Sequence, residues 1–326
     1  VRFLVFAFGM LSAWASAGGA ATLAAGDLLV LDTFLTSGES YRVVQIDPAT
    51  RTVTPITTAG LLQSPADFVL HPDGRILVAD RVNGVIAVDP GSGSQSVLTS
   101  GGLFAGGELQ GIAVEPGGTL VVTLAFPAGG GVPAVVRVEA TGGAQTLVSS
   151  GGSLEFPKGI IVGADGALYV CEPSSPGLGP TGYTYGSVIR VSASDGAQTS
   201  RYVSDLFSGP EEIAYSLFDG RLYVVQRGLM GRHYYGRVVA LDPADGTTFV
   251  FAEDHGHLGV AISPAGVTYR AFFMDPKPGP VDVLRKDGDP SWYVDGLAGP
   301  MEIVGTAGST PARTSSWGSV KERYRR

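Results

Sequence analysis

An all-β architecture, a six-bladed β-propeller of four-stranded antiparallel blades, is the fold class that this sequence predicts, and three observations predict it. The first is the stretch 65–80, P-A-D-F-V-L-H-P-D-G-R-I-L-V-A-D. Phe68-Val69-Leu70 and Ile76-Leu77-Val78-Ala79 flank His71-Pro72-Asp73-Gly74 there. Proline fixes φ and glycine accepts a positive φ cheaply, so this is a tight turn inside a β-hairpin. The second is recurrence. Gly26, Gly74, Gly118, Gly166, Gly220 and Gly266 each open a second strand, at separations of 48, 44, 48, 54 and 46 residues. That is the size of a propeller blade. The third is the register of the ends. The repeats begin at a second strand, Asp27 to Asp32, and finish at an orphan first strand, Pro300-Met301-Glu302-Ile303-Val304. Joined in one blade, the two close the ring and leave only short edges exposed.

The elements follow in order. First strands recur as Phe68-Val69-Leu70, Ile112-Ala113-Val114, Ile160-Ile161-Val162, Ile213-Ala214-Tyr215, Val260-Ala261-Ile262 and Ile303-Val304. Third strands recur as Val43-Val44-Gln45-Ile46-Asp47, Val85-Ile86-Ala87-Val88-Asp89, Val135-Val136-Arg137-Val138-Glu139, Val188-Ile189-Arg190-Val191, Val238-Val239-Ala240-Leu241-Asp242 and Val281-Asp282-Val283-Leu284. These columns are rich in β-branched residues and are bounded by turn residues. In the repeat that begins at residue 65, Gln95-Ser96-Val97-Leu98-Thr99 is the fourth strand.

Composition bounds the partners. The 326 residues are 44% hydrophobic and 16% charged, enough for a core, while 48 Gly and 21 Pro imply many turns and little room for long helices. A formal net charge of −8 excludes nucleic acid as the main partner, since phosphate binding needs a concentrated basic surface. Residues 3–26 carry no charge, and Ala15-Ser16-Ala17 is an A-x-A cleavage pattern behind Arg2. The organisation expected is therefore a signal peptide at 1–17, a linker at 18–25, the propeller at 26–308 and a basic tail at 309–326. A secreted or periplasmic monomer of bacterial type follows, with no membrane span after cleavage. Cys171 is the single cysteine, so no intrachain disulfide forms, and it reads as a small buried hydrophobe.

The pattern P-x-[GDE]-I-x-V-x-x-x-G-x-L-Y-V-x-D followed by V-I-R-V resembles the NHL-repeat and SMP-30/gluconolactonase-like six-bladed β-propellers over about residues 26–308. That resemblance implies a divalent metal in the central channel, held by an inner-strand Glu, an Asn and an Asp. Glu302 matches the Glu, and Glu211 stands at an Asp-type position after proline. No Asn-Gly opens any inner strand, a departure from the pattern.

Loop lengths choose the working face. Turns between first and second strands are uniformly short, whereas the second-to-third loops vary from Arg81-Val82-Asn83-Gly84 to the stretch 173–186, and variable loops on a rigid ring carry binding. Three neighbouring loops, 173–186, 227–237 and 272–280, bring Tyr183, Tyr185, Arg232, Tyr234, Tyr235 and Phe273 to an aromatic rim suited to a small molecule or a protein. Nearer the axis the inner strands open with Ala66-Asp67, Gln110-Gly111, Lys158-Gly159, Glu211-Glu212, Leu258-Gly259 and Met301-Glu302. Asp67, Glu211, Glu212 and Glu302 therefore surround the channel mouth. His233, His255 and His257 gather on two adjacent blades of the same face, and imidazole with carboxylate is ligand chemistry for one divalent ion, calcium or zinc. Asp32 and Asp80, after second strands, read as turn anchors. No G-x-S-x-G, P-loop, H-E-x-x-H or C-x-x-C is present. The expectation is a binding propeller that uses its variable-loop face. The alternative is a metal-dependent hydrolase or lactonase with the ion at the channel mouth.

Overall fold

The computed structural model describes residues 23–24, 27–32, 41–47, 50–57, 60–126, 130–173, 186–230, 233–254, 257–262, 268–272, 281–284, 290–294 and 300–305. Within 227–235, 253–259 and from 268 onward, that description covers the backbone.

Strand β1 (Leu28–Asp32) pairs with β2 (Arg42–Asp47), and β2 with β3 (Thr52–Thr57). A second sheet is the meander β4 (Pro65–Leu70), β5 (Ile76–Asp80), β6 (Gly84–Val88) and β7 (Gln95–Thr99). The third is β8 (Glu108–Val114), β9 (Leu120–Ala125), β10 (Ala134–Val138) and β11 (Gln145–Ser150). The fourth is β12 (Ile160–Val162), β13 (Leu168–Glu172), β14 (Ser187–Val191) and β15 (Gln198–Val203). The fifth is β16 (Pro210–Tyr215), β17 (Leu222–Met230), β18 (His233–Leu241) and β19 (Thr248–Asp254). Backbone pairing continues through β20 (His257–Ile262), β21 (Thr268–Phe272), β22 (Val281–Leu284) and β23 (Pro290–Val294). Finally, β24 (Pro300–Gly305) pairs with the other side of β1, giving the order β24-β1-β2-β3. The molecule is an all-β propeller of four-stranded antiparallel blades.

The packing explains why the second strands read as unbroken apolar runs. Strands β1, β5 and β13 are buried at every residue, because each lies between two neighbouring blades. Side chains alternate along the strand. Ile76 and Val78 join Leu29, Leu31 and Val43 of the preceding blade, while Leu77 and Ala79 join Leu120, Val122 and Val136 of the following one. Each fully buried Val, Leu or Ile contributes about 1.5–3 kcal/mol, so the inter-blade seams carry most of the core.

Two polar devices repeat between blades. Glutamine opens the outer strands β7, β11 and β15. Its carbonyl accepts the backbone N–H of Leu61, Leu103 or Ser153, and its amide donates to the hydroxyl of Thr57, Thr99 or Ser149 in the preceding blade. The second device closes the end of the second strand. Asp80 accepts four backbone N–H bonds, from Gln63, Ser64, Val82 and Asn83, all at 2.8–2.9 Å. Glu172 does the same for Glu155 and Phe156, and Gln226 for Ser208. Asp32 instead pairs with Arg42 at 2.6 Å.

The segment 227–237, expected as a loop, is largely strand. Arg227 pairs with Gly236, Gly228 with Tyr235, Leu229 with Tyr234 and Met230 with His233, so the hairpin continues beyond its neighbours. The tyrosines and His233 that suggested a loop satisfy the alternating backbone ladder equally well.

Candidate functional site

Five first strands enter the ring through a local irregularity, and β12 pairs with β13 in unbroken register. The ladder slips between Pro65 and Asp67 on β4, Leu109 and Ile112 on β8, and Pro210 and Glu212 on β16. The same slip occurs between His257 and Gly259 on β20, and opposite Pro300 and Glu302 on β24. A β-bulge re-aims the residue that follows it. The re-aimed column is Asp67, Gly111, Glu212, Gly259 and Glu302, and Gly159 completes it just ahead of β12 through its bond to Cys171 N at 2.8 Å. Acids and glycines differ in role: the described acids, Asp67 and Glu212, act on each other, and the glycines let backbones meet. A Cβ on Gly111 would stand 2.6 Å from the Lys158 carbonyl oxygen, and one on Gly159 would stand 2.7 Å from Glu212 Oε1.

Asp67 is buried, and both of its oxygens accept backbone N–H bonds. Phe68 N donates to Oδ1 at 2.6 Å, and Ile112 N of the next blade donates to Oδ2 at 2.7 Å. Burial outweighs these bonds and pushes the carboxyl up to about 7. Glu212 is also raised well above the usual carboxylate range, first by burial and then by Asp67, and Ile213 N donates to its Oε1 at 3.0 Å. The first strands contact one another in the order β4, β8, β12, β16. The two acids thus act on each other from strands three blades apart. Burial and mutual repulsion favour the protonated form of both carboxyls more than in an exposed acid.

Cations and amides surround them. Gln110 Oε1 accepts from Lys158 Nζ and from Arg81 Nη2, both at 3.2 Å, and Gln110 Nε2 donates to Glu108 Oε2 at 3.4 Å. Lys158 also lies 5.0 Å over the Phe156 ring, and its charge opposes the rise of the Glu212 pKa. Beneath, Thr123 donates to the Lys158 carbonyl at 2.5 Å and accepts from Gly111 N at 2.7 Å, which clamps two blades together. Cys171 is buried with its thiol pushed well up by desolvation, an inert packing role.

Of the residues singled out in the sequence, Asp67, Glu211 and Glu212 meet at the mouth, and Glu302 occupies the matching position of β24. His257 opens β20, and His233, Tyr234 and Tyr235 belong to β18, with side chains outside the described residues. His255, Tyr183, Tyr185, Arg232 and Phe273 lie outside the described residues altogether. The mouth residues Arg81, Gln110 and Lys158 escaped attention because they are not acids. Their signal was present, since Gln110-Gly111 and Lys158-Gly159 hold the same column as the acids. The described donors do not fit a divalent ion. Asp67 is committed to two N–H donors, Lys158 brings positive charge, and no group of three His, Cys, Asp or Glu able to hold a metal occurs among the described residues.

No protein-family model matches the chain, and no curated protein matches it. Solved structures do. A protein of unknown function from Bacteroides caccae is 13% identical, with 86% of this chain and 98% of that one covered at a TM-score of 0.60. A gluconolactonase from Xanthomonas campestris is 18% identical, with 87% and 92% covered at 0.55. A catalytically inactive virginiamycin B lyase from Staphylococcus aureus is 13% identical, with 82% and 84% covered at 0.52. At these identities the likeness establishes the β-propeller fold, one that serves proteins of diverse function.

Proposed function

We propose that this chain is a six-bladed propeller that works outside the cytoplasm and binds a small polyhydroxylated anion at its channel mouth, with the longer loops of the same face framing it. The cyclic contacts of β24, β4, β8, β12, β16 and β20 support the blade count. One observation carries the binding reading: the cations Arg81, paired with Glu108 at 3.8 Å, and Lys158 converge on Gln110, and Lys158 also acts on Glu212. A ligand carboxylate suits the cations, and ligand hydroxyls suit the amide and carboxylate groups beside them.

Aldonic and uronic acids, screened by thermal shift, test the reading. A native-state ligand raises the melting temperature, and at one hundred times its Kd the gain is about 2.7 kcal/mol. Lys158→Ala is expected to abolish the shift and leave the unliganded melt within a few degrees. A flat panel, together with about one metal per chain and a melt lowered by EDTA, would replace this reading with the metal-dependent hydrolase.

A further inference from the structure

The opposite face of the ring, where first strands turn into second and third into fourth, has one corner unlike the others. The first-to-second turns are small and polar in other blades, Pro72-Asp73-Gly74 and Ala164-Asp165-Gly166 for example, but between β16 and β17 the turn carries Leu217 and Phe218, 48% and 45% exposed. Asp219 in that turn accepts from Tyr223 at 2.9 Å and from Arg221 at 3.3 Å, and Arg221 lies 5.4 Å over Phe249, itself exposed at the start of β19. The turn and Phe249 are thus linked through Asp219 and Arg221.

Carboxylates ring them, of which Asp165 is paired with Arg190 at 2.7 Å and Asp219 with Arg221 at 3.3 Å. Asp165, Asp219 and Asp242 all raise the pKa of Tyr215, which is shifted first by burial, and this places three carboxylates around one side chain at the corner. Asp245 stands in the adjoining turn, its carboxyl held below the usual range by bonds from Thr247. In the neighbouring blade, Asp195 is lowered in the same way by Ser192 and by Ala197 N. Asp165 is lowered as well, its burial outweighed by bonds from Arg190, Ala167 N and Tyr169.

The occupant is in the same chain. Strand β24 ends at Gly305, which pairs with Leu28 at the turn end of its blade, so the chain leaves the ring on this face. Beyond it, residues 309–326 carry Trp317, Val320 and Tyr324 among five basic residues and one acid, the charge and apolar complement of the corner. Strand β20 lies beside both β16 and β24, which puts the corner two blades away. Sheets pack about 10 Å apart. The twelve residues from Gly305 to Trp317 reach roughly 40 Å when extended, enough for the crossing. We propose that residues 309–326 dock on the turn face of their own propeller, with Trp317 and Tyr324 against Leu217, Phe218 and Phe249 and the basic groups against Asp242 and Asp245.

The test uses the full chain with p-benzoylphenylalanine at position 317, irradiated at low concentration and mapped by mass spectrometry. Adducts within residues 217–221 or 242–249 of the same chain are expected. Leu217→Ser with Phe218→Ser, or Asp242→Asn with Asp245→Asn, should lower their yield about fivefold with the melt retained, and 1 M salt, with a screening length near 3 Å, should act likewise. Adducts on other blades, adducts only between two copies, or no intrachain adduct would overturn the proposal.

Discussion

Asp67 is an acid placed where ionisation costs most, with both oxygens engaged and no bulk water beside it. Its folded pKa of about 7 lies above the ordinary 3.8, so between these values the native state binds more proton than the unfolded chain. Stability contributed by Asp67 is therefore full at about pH 4 and is lost progressively as pH rises to 7, by an amount on the order of a few kcal/mol at roughly 1.4 kcal/mol per unit. Urea unfolding at pH 5 and pH 8 should show the folded state weaker at the higher pH from this source. Asp67→Asn should flatten that difference while lowering stability at both, since an amide nitrogen would face one of the two N–H donors. An unchanged pH slope in the variant would remove Asp67 as the origin.

At the level of the strand, the glycines of the column let first strands of neighbouring blades approach closely, as Gly111 of β8 does against Lys158 and Gly159. Gly111→Ala would drive a methyl to 2.6 Å from the Lys158 carbonyl and 2.9 Å from Gly159 Cα, both backbone atoms that cannot swing aside. A loss of about 1–3 kcal/mol in chemical unfolding is the expected result, as for other overpacked sites. Gly117→Ala, in a turn with nothing within 4 Å, is the control and should change little. The apolar triplets that define each strand were legible in the sequence because a strand buried on both faces needs no alternation to be recognised. The extended β17–β18 hairpin was not. Tyrosine and glycine in 227–237 suit a loop and a ladder alike, and only the pairing of Arg227 with Gly236 onward distinguishes them.

For the whole molecule, the pairing of β24 with β1 joins the two ends of the repeat array. A chain ended at Gly299 would expose the inner edge of β1 and leave its blade one strand short. It should melt at lower temperature and aggregate with rising concentration, because an unpaired edge templates association. An unchanged melt and a monodisperse elution profile would show that the ring does not depend on this closure.

The sequence by itself determined the blade repeat, the pairing of its ends and the turn glycines. All of these rest on local chemistry repeated at blade spacing, which periodicity reveals without coordinates. Tertiary structure decided how those groups behave. That Asp67 and Glu212 act on each other from strands three blades apart, that Gln110 gathers Arg81 and Lys158, and that Asp165 and Asp242 flank Tyr215 are relations between residues 27 to 145 positions apart. They arise only when the ring brings separate blades together and excludes water between them. Desolvation and charge proximity belong to that closed geometry, and no spacing along the chain encodes them.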